Sequence, residues 1–150
     1  MKMECKTIDE KFRKIEKRNI TIVGPQSSGK TGVFRSLMSL PFQSEYKCDE
    51  FGRFGNKLFT SIKSKYEKVY PLSMNLVDTP GSLIRSEIAA EHYFSRCDIV
   101  LIVFDGGMAI EEETIDKWTQ FVLAQISTHN QGGKGAPMVI HLITKLDRSL

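Results

Sequence analysis

The residues Gly24-Pro25-Gln26-Ser27-Ser28-Gly29-Lys30-Thr31 read G-x-x-x-x-G-K-T, between the apolar run Ile20-Thr21-Ile22-Val23 and the helix-like stretch Val33 to Met38. Such a loop is a phosphate cradle. Its glycines let the backbone curl until the N–H groups from Gln26, Ser27, Ser28 and Gly29 through Gly32 face an anion at the start of a helix. Lys30 adds a positive charge for the β- and γ-phosphates, and Thr31 a hydroxyl for Mg²⁺. Two further clusters also follow apolar runs. Asp78-Thr79-Pro80-Gly81 is D-x-x-G: the aspartate can hold Mg²⁺ through a water and the glycine N–H can meet a γ-phosphate, although Asp, Pro and Gly also suit a plain turn. Thr144-Lys145-Leu146-Asp147 is T-K-x-D. The Asp147 carboxylate can accept from the N1–H and exocyclic amine of guanine, donors that adenine lacks there, while the Lys145 stem lies along the base and holds the cradle.

These groups need a scaffold that brings them together. Asn19 to Val23 reads as a buried strand, the cradle follows, and the next helix is expected to run until Pro41. Phe42 to Leu58, rich in Gly and charge, predicts a loop. Phe59 to Val69 alternates like an edge strand, and Pro71 turns the chain into the strand Leu72 to Val77, which delivers Asp78. Asp98 to Asp105 is a continuous apolar run suited to a central parallel strand covered on both faces. Ile115, Trp118, Phe121, Val122 and Ile126 form a helical stripe with Glu111 to Glu113 near its start. Met138 to Ile143 is the last strand. Alternating strands and helices predict an α/β, doubly wound, mostly parallel sheet with helices on both faces, whose ligand sits beyond the carboxyl ends of the strands.

The 150 residues are 41% hydrophobic, enough for one globular domain. The net charge of +3, from 21 basic and 18 acidic residues, gives no argument for nucleic acid. Cys5, Cys48 and Cys97 lack metal or C-x-x-C spacing and read as reduced thiols of a cytoplasmic protein; the three histidines suggest no zinc site. The apolar runs are strand-length, so no signal peptide or membrane span is expected. Met3, Ile8, Phe12 and Ile15 suggest an amphipathic N-terminal helix. The organisation expected is therefore that helix over 1–18 and a nucleotide domain over 19–150.

With three motifs in this order, each at a strand end, the chain resembles the Ras-like small GTPases of the P-loop superfamily. The wording of the cradle, of Thr60-Ser61-Ile62 and of Leu76 to Gly81 is similar to the Arf-related β subunits of the signal recognition particle receptor. The Gly24 to Lys30 wording and Ile143 to Asp147 are similar to dynamin-type GTPases. The first resemblance departs in two places: no membrane helix precedes the domain, and Thr144 stands where Asn is usual. The superfamily resemblance implies GTP or GDP with Mg²⁺ as ligands, Thr31, Asp78 and Thr60 as the metal set, and Gln26, Lys30 and Thr60 as catalytic candidates. It also implies a protein partner bound by the GTP state through the switch regions. The receptor-like wording adds targeting at the cytosolic face of the endoplasmic reticulum, with membrane association through a partner. Ser82, where many relatives place a water-orienting glutamine, implies slow hydrolysis. Gln26 is the nearby amide that could position water instead. A non-hydrolysing module that keeps nucleotide as a structural part is the alternative, and a nucleoside kinase would share only the cradle. Against the superfamily pattern the closing strand, the closing helix and the loop behind the base are missing. The Met138 to Ile143 strand should then lie near an open edge, and the N-terminal helix is expected to cover the surface left by the missing helix.

Overall fold

The computed structural model describes residues 15–41, 52–63, 69–85, 87–130 and 135–148. Five strands, β1 (Glu16–Val23), β2 (Arg53–Lys63), β3 (Val69–Asp78), β4 (Ile99–Asp105) and β5 (Met138–Thr144), form one sheet in the order β2-β3-β1-β4-β5. All neighbours are parallel except β2 and β3. Among the described residues, helices α1 (Lys30–Leu37), α2 (Glu87–Phe94) and α3 (Glu112–His129) flank the sheet, with short 3₁₀ turns at Leu83–Arg85 and Leu146–Arg148. The parallel strands run in the order 3-1-4-5, so successive connections leave β1 toward opposite edges. That divergence opens a crevice at the carboxyl end of β1, where the cradle begins.

Both faces of the sheet are covered, and β4 shows why its sequence is apolar without alternation. Its Val100, Ile102 and Phe104 pack with Phe94 of α2 and Trp118 and Val122 of α3, while Val103 faces Ile20, Ile22, Phe34 and Leu76 on the α1 side. Phe121 meets Phe94 and Trp118 edge-on, with ring centroids 6.2 and 5.9 Å away. Cys97, just after α2, is buried in the same core, and desolvation pushes its thiol pKa up to about 11. On the α2 side of the sheet Asn19, Asn75 and Asn56 stand in register on β1, β3 and β2. The Asn75 amide donates to Asn19 Oδ1 at 2.8 Å, and the Asn56 amide donates to Asn75 Oδ1 at 2.6 Å. A one-residue slip of any of the three strands would break this chain, so it pins the register.

Four boundaries differ from the sequence expectation. β1 begins at Glu16, so Glu16, Lys17 and Arg18 belong to the sheet, pairing with Leu72, Ser73 and Met74; residues 1–14, where the amphipathic helix is expected, lie outside the described residues. α1 ends at Leu37, ahead of Pro41, because Ser39 turns left-handed (φ 56°) and the N–H groups of Leu40 and Ser39 close on the carbonyls of Arg35 and Ser36. β2 starts at Arg53, inside the stretch expected to be a loop. Pro71 lies within β3, where the missing N–H is tolerated: the register with β2 shifts between Phe59 and Ile62, and pairing with β1 begins only at Leu72. α2, which no helical stripe announces, buries Ala90 and Phe94 in the core. Among the described residues β5 forms an edge of the five-stranded sheet, with Met138, Ile140 and Ile143 exposed.

Candidate functional site

The cradle leaves β1 at Gly24 and enters α1 at Lys30, and its shape is fixed by positions that tolerate no larger residue. Gly24 adopts φ 146°, and a Cβ there would lie 2.2 Å from the Val103 carbonyl oxygen of β4. Gly29 caps α1 at φ 97°, with a Cβ position 2.9 Å from Thr144 Oγ1. Between them Ser27 also turns left-handed (φ 62°). Three such residues within six positions curl the backbone into the concavity that an anion requires. Lys30 is buried and arches over the loop, its Nζ donating to the Pro25 carbonyl at 2.7 Å. Ser28 Oγ is buried without a hydrogen-bond partner among the described residues. A buried hydroxyl of this kind is costly unless a ligand or water completes it.

β3 carries the second motif to the same rim. Asp78 lies beside Ile22 in the β1 pairing, and the Thr31 hydroxyl donates to its Oδ2 at 2.8 Å. Thr79 anchors the exit, its N–H and hydroxyl both donating to the Ile22 carbonyl at 3.1 and 2.8 Å. Gly81 then passes directly against the cradle: a Cβ would sit 2.7 Å from Gln26 Cα. The Gln26 side chain is exposed beside it, Ser82 is exposed on the next turn, and Gly32 has open space around its Cα. A hard divalent cation takes oxygen ligands and keeps several waters. The apposed Thr31 hydroxyl and buried Asp78 carboxylate, with a phosphate in the cradle, suit Mg²⁺ in that way.

β5 supplies the third motif. Thr144 Oγ1 donates to the Ser28 carbonyl at 2.6 Å and lies 3.2 Å from that of Phe104. Lys145, left-handed at φ 55°, reaches across to donate to the Ser27 carbonyl at 2.7 Å and pairs with Asp105 Oδ2 at 2.6 Å. Asp147 sits exposed in the following 3₁₀ turn. Thr144 thus makes through its hydroxyl a tie to the cradle, so the substitution of Thr for the usual Asn leaves the two loops joined. Asp105 had no signal in the sequence beyond ending an apolar run.

One candidate does not converge with the rest. Arg53 of β2 pairs with Asp78, whereas Thr60 lies seven positions further along the strand, on the order of 20 Å from that rim. The expectation of Thr60 as a magnesium ligand and catalytic group is therefore corrected. Its segment serves as the far end of an edge strand, and residues 42–51, which lead into β2 at the site, lie outside the described residues.

A family model described as Ras of Complex, Roc, domain of DAPkinase matches residues 19–147. The chain belongs to the Roc family. No curated protein matches it. Roc domains are Ras-like GTPases, which makes this chain a Ras-like domain of the P-loop superfamily and a GTP-binding switch in general terms. Guanine nucleotide, typically with Mg²⁺, is the ligand expected of the family, and GTP hydrolysis its general activity. The match gives no support to the finer resemblances, to the receptor β subunit or to dynamin-type enzymes. Among the described residues no helix is long and apolar enough to cross a membrane.

Proposed function

We propose that this Roc domain binds GTP and GDP with Mg²⁺ at the carboxyl rim of its sheet, and that it hydrolyses GTP slowly. The observation that carries this reading is the convergence of three motifs on one loop: Thr31 meets Asp78, Gly81 packs on Gln26, and Thr144 and Lys145 hold the carbonyls of Ser28 and Ser27. Residues Gly24 to Gly32 wrap the phosphates, with Lys30 released from the Pro25 carbonyl to the β- and γ-phosphates. Thr31 and Asp78 hold the cation. Asp147 selects guanine through two acceptor bonds, and an adenine would leave that carboxylate unpaired.

Slow hydrolysis follows from the side chains beside Gly81. Ser82 is too short to orient water at the γ-phosphate, and Gln26 is the amide close enough to substitute. Gln26→Ala should then abolish turnover and leave affinity intact. The GTP state would present the Asp78 to Glu87 segment and the start of β2 to a protein partner. Phe54, 61% exposed, stacks there on Tyr93 with centroids 6.3 Å apart and abuts His92. Targeting at the endoplasmic reticulum rests on the wording of the cradle and the Asp78 loop alone; fractionation that leaves the protein away from membranes would remove it.

The deciding experiment is titration with fluorescent guanine and adenine nucleotides, with Mg²⁺ and with EDTA. Tight, Mg²⁺-dependent guanine binding with no adenine binding is expected, and equal affinity for both bases would overturn the assignment. Multiple-turnover phosphate release separates an enzyme from a non-hydrolysing module.

A further inference from the structure

We propose that Asp105 is a positioning residue for nucleotide binding, an electrostatic latch that fixes Lys145 across the cradle; the inference rests on the guanine-nucleotide reading above. Asp105 is the last residue of β4 and pairs in register with Thr144. The turn that follows aims its carboxylate. One oxygen, Oδ1, accepts from the Gly107 N–H at 2.9 Å, and the Gly106 N–H donates to the Thr144 carbonyl at 2.7 Å. Gly106 must be glycine for this approach, since a Cβ would stand 2.6 Å from Ile143 Cγ2 and 2.8 Å from the Thr144 oxygen. The other oxygen, Oδ2, then faces Lys145 Nζ at 2.6 Å, with the pair 19% and 27% exposed and so only partly screened by solvent.

An ammonium on a four-carbon stem does not hold one place by itself. With the Ser27 carbonyl as its sole neighbour, the Lys145 head would have one neutral acceptor and considerable rotational freedom. The carboxylate adds a charge-assisted bond from a second direction, roughly twice the strength of a neutral one. The left-handed backbone of Lys145 places the residue over the loop, and Asp105 decides where the end of its side chain rests. β4, β5 and the cradle are thereby tied before ligand arrives, and less ordering remains to oppose binding. The phosphate cradle and the base-reading turn become one preorganised unit through a residue that touches neither phosphate nor base.

Asp105→Asn separates this role from turn formation, because the amide oxygen can still accept from Gly107 while the charge is lost. The variant should release labelled GDP about tenfold faster than the wild type, with the difference shrinking as salt is raised. Lys145→Ala should release it faster too, and adding Asp105→Asn to Lys145→Ala should change nothing further, because Asp105 acts through that lysine. A wild-type off-rate in Asp105→Asn, or effects of the two substitutions that multiply, would overturn the latch while leaving guanine binding in place. A wild-type chain that binds no guanine nucleotide would overturn both readings.

Discussion

The loop from Gly24 to Thr31 and the segment from Asp78 to Arg85 share one rim of the sheet, yet the first is held from both sides along its length and the second only at its two ends, by Thr79 and by the buried Leu83. The cradle is clasped by β4 through the Val103 carbonyl and by β5 through Thr144 and Lys145. The Asp78 segment is fastened by Thr79 to Ile22, and then runs through an exposed Ser82 into a single 3₁₀ turn whose Leu83 is buried in the core. A loop fixed on both sides is suited to receive phosphate without rearranging. One fastened only at its two ends can shift the Pro80 to Ser82 stretch between them without unseating either anchor, as a sensor of one phosphate must. Binding and sensing are thus assigned to backbones of different freedom, and the two should respond differently to the same insult.

The sharpest test uses one added methyl group on each side. Gly24→Ala should lower stability by about 2–5 kcal/mol and abolish nucleotide binding, because the Val103 carbonyl is fixed in a central strand; thermal melting and a nucleotide titration read both effects. Gly81→Ala creates a comparable overlap with Gln26, but its loop can move away. Its stability should stay within about 1 kcal/mol of the wild type, while GTP affinity falls about tenfold and GDP affinity does not. An equal loss of stability in both would erase the distinction between the loops. Thr31→Ala joins the two loops in one measurement: it removes the hydroxyl that meets Asp78, costs about 1 kcal/mol of stability, and should make affinity insensitive to EDTA. Ser82→Gln acts on sensing alone and is expected to raise single-turnover hydrolysis about tenfold with unchanged affinity. No gain in rate would place the defect elsewhere than in the length of that side chain.

Much of the rigid side could be read from the chain, because its signals are local. The glycines of the cradle, the unbroken apolar run of β4 and the Trp118 and Val122 stripe of α3 all describe their own surroundings. What escaped depends on partners remote in sequence. β2 begins among charged and glycine residues because antiparallel pairing with β3 satisfies its backbone, and Pro71 lies in a strand because a register shift accommodates it. Thr60 carries the residue type of a switch threonine, but the register of an edge strand decides its position, and no spacing along the chain encodes that. Asp105 meets Lys145 forty residues later, a contact created by the pairing of β4 with β5.

Cys97 closes α2, the helix that continues from the Asp78 segment. Its thiol is buried, and desolvation pushes its pKa up to about 11 from the 9.0 of an exposed thiol. Between those values an unfolded chain loses a proton that the folded chain keeps, so stability falls as the solution becomes alkaline across that interval and is unaffected below it. At neutral pH the native thiol has almost no thiolate with which to attack an alkylating reagent. Modification of this sulfur therefore requires α2 to leave the core, and its rate is a built-in clock for helix detachment. Comparing that rate with GDP and with a non-hydrolysable GTP analogue would show how far motion at the Asp78 segment travels into the hydrophobic interior.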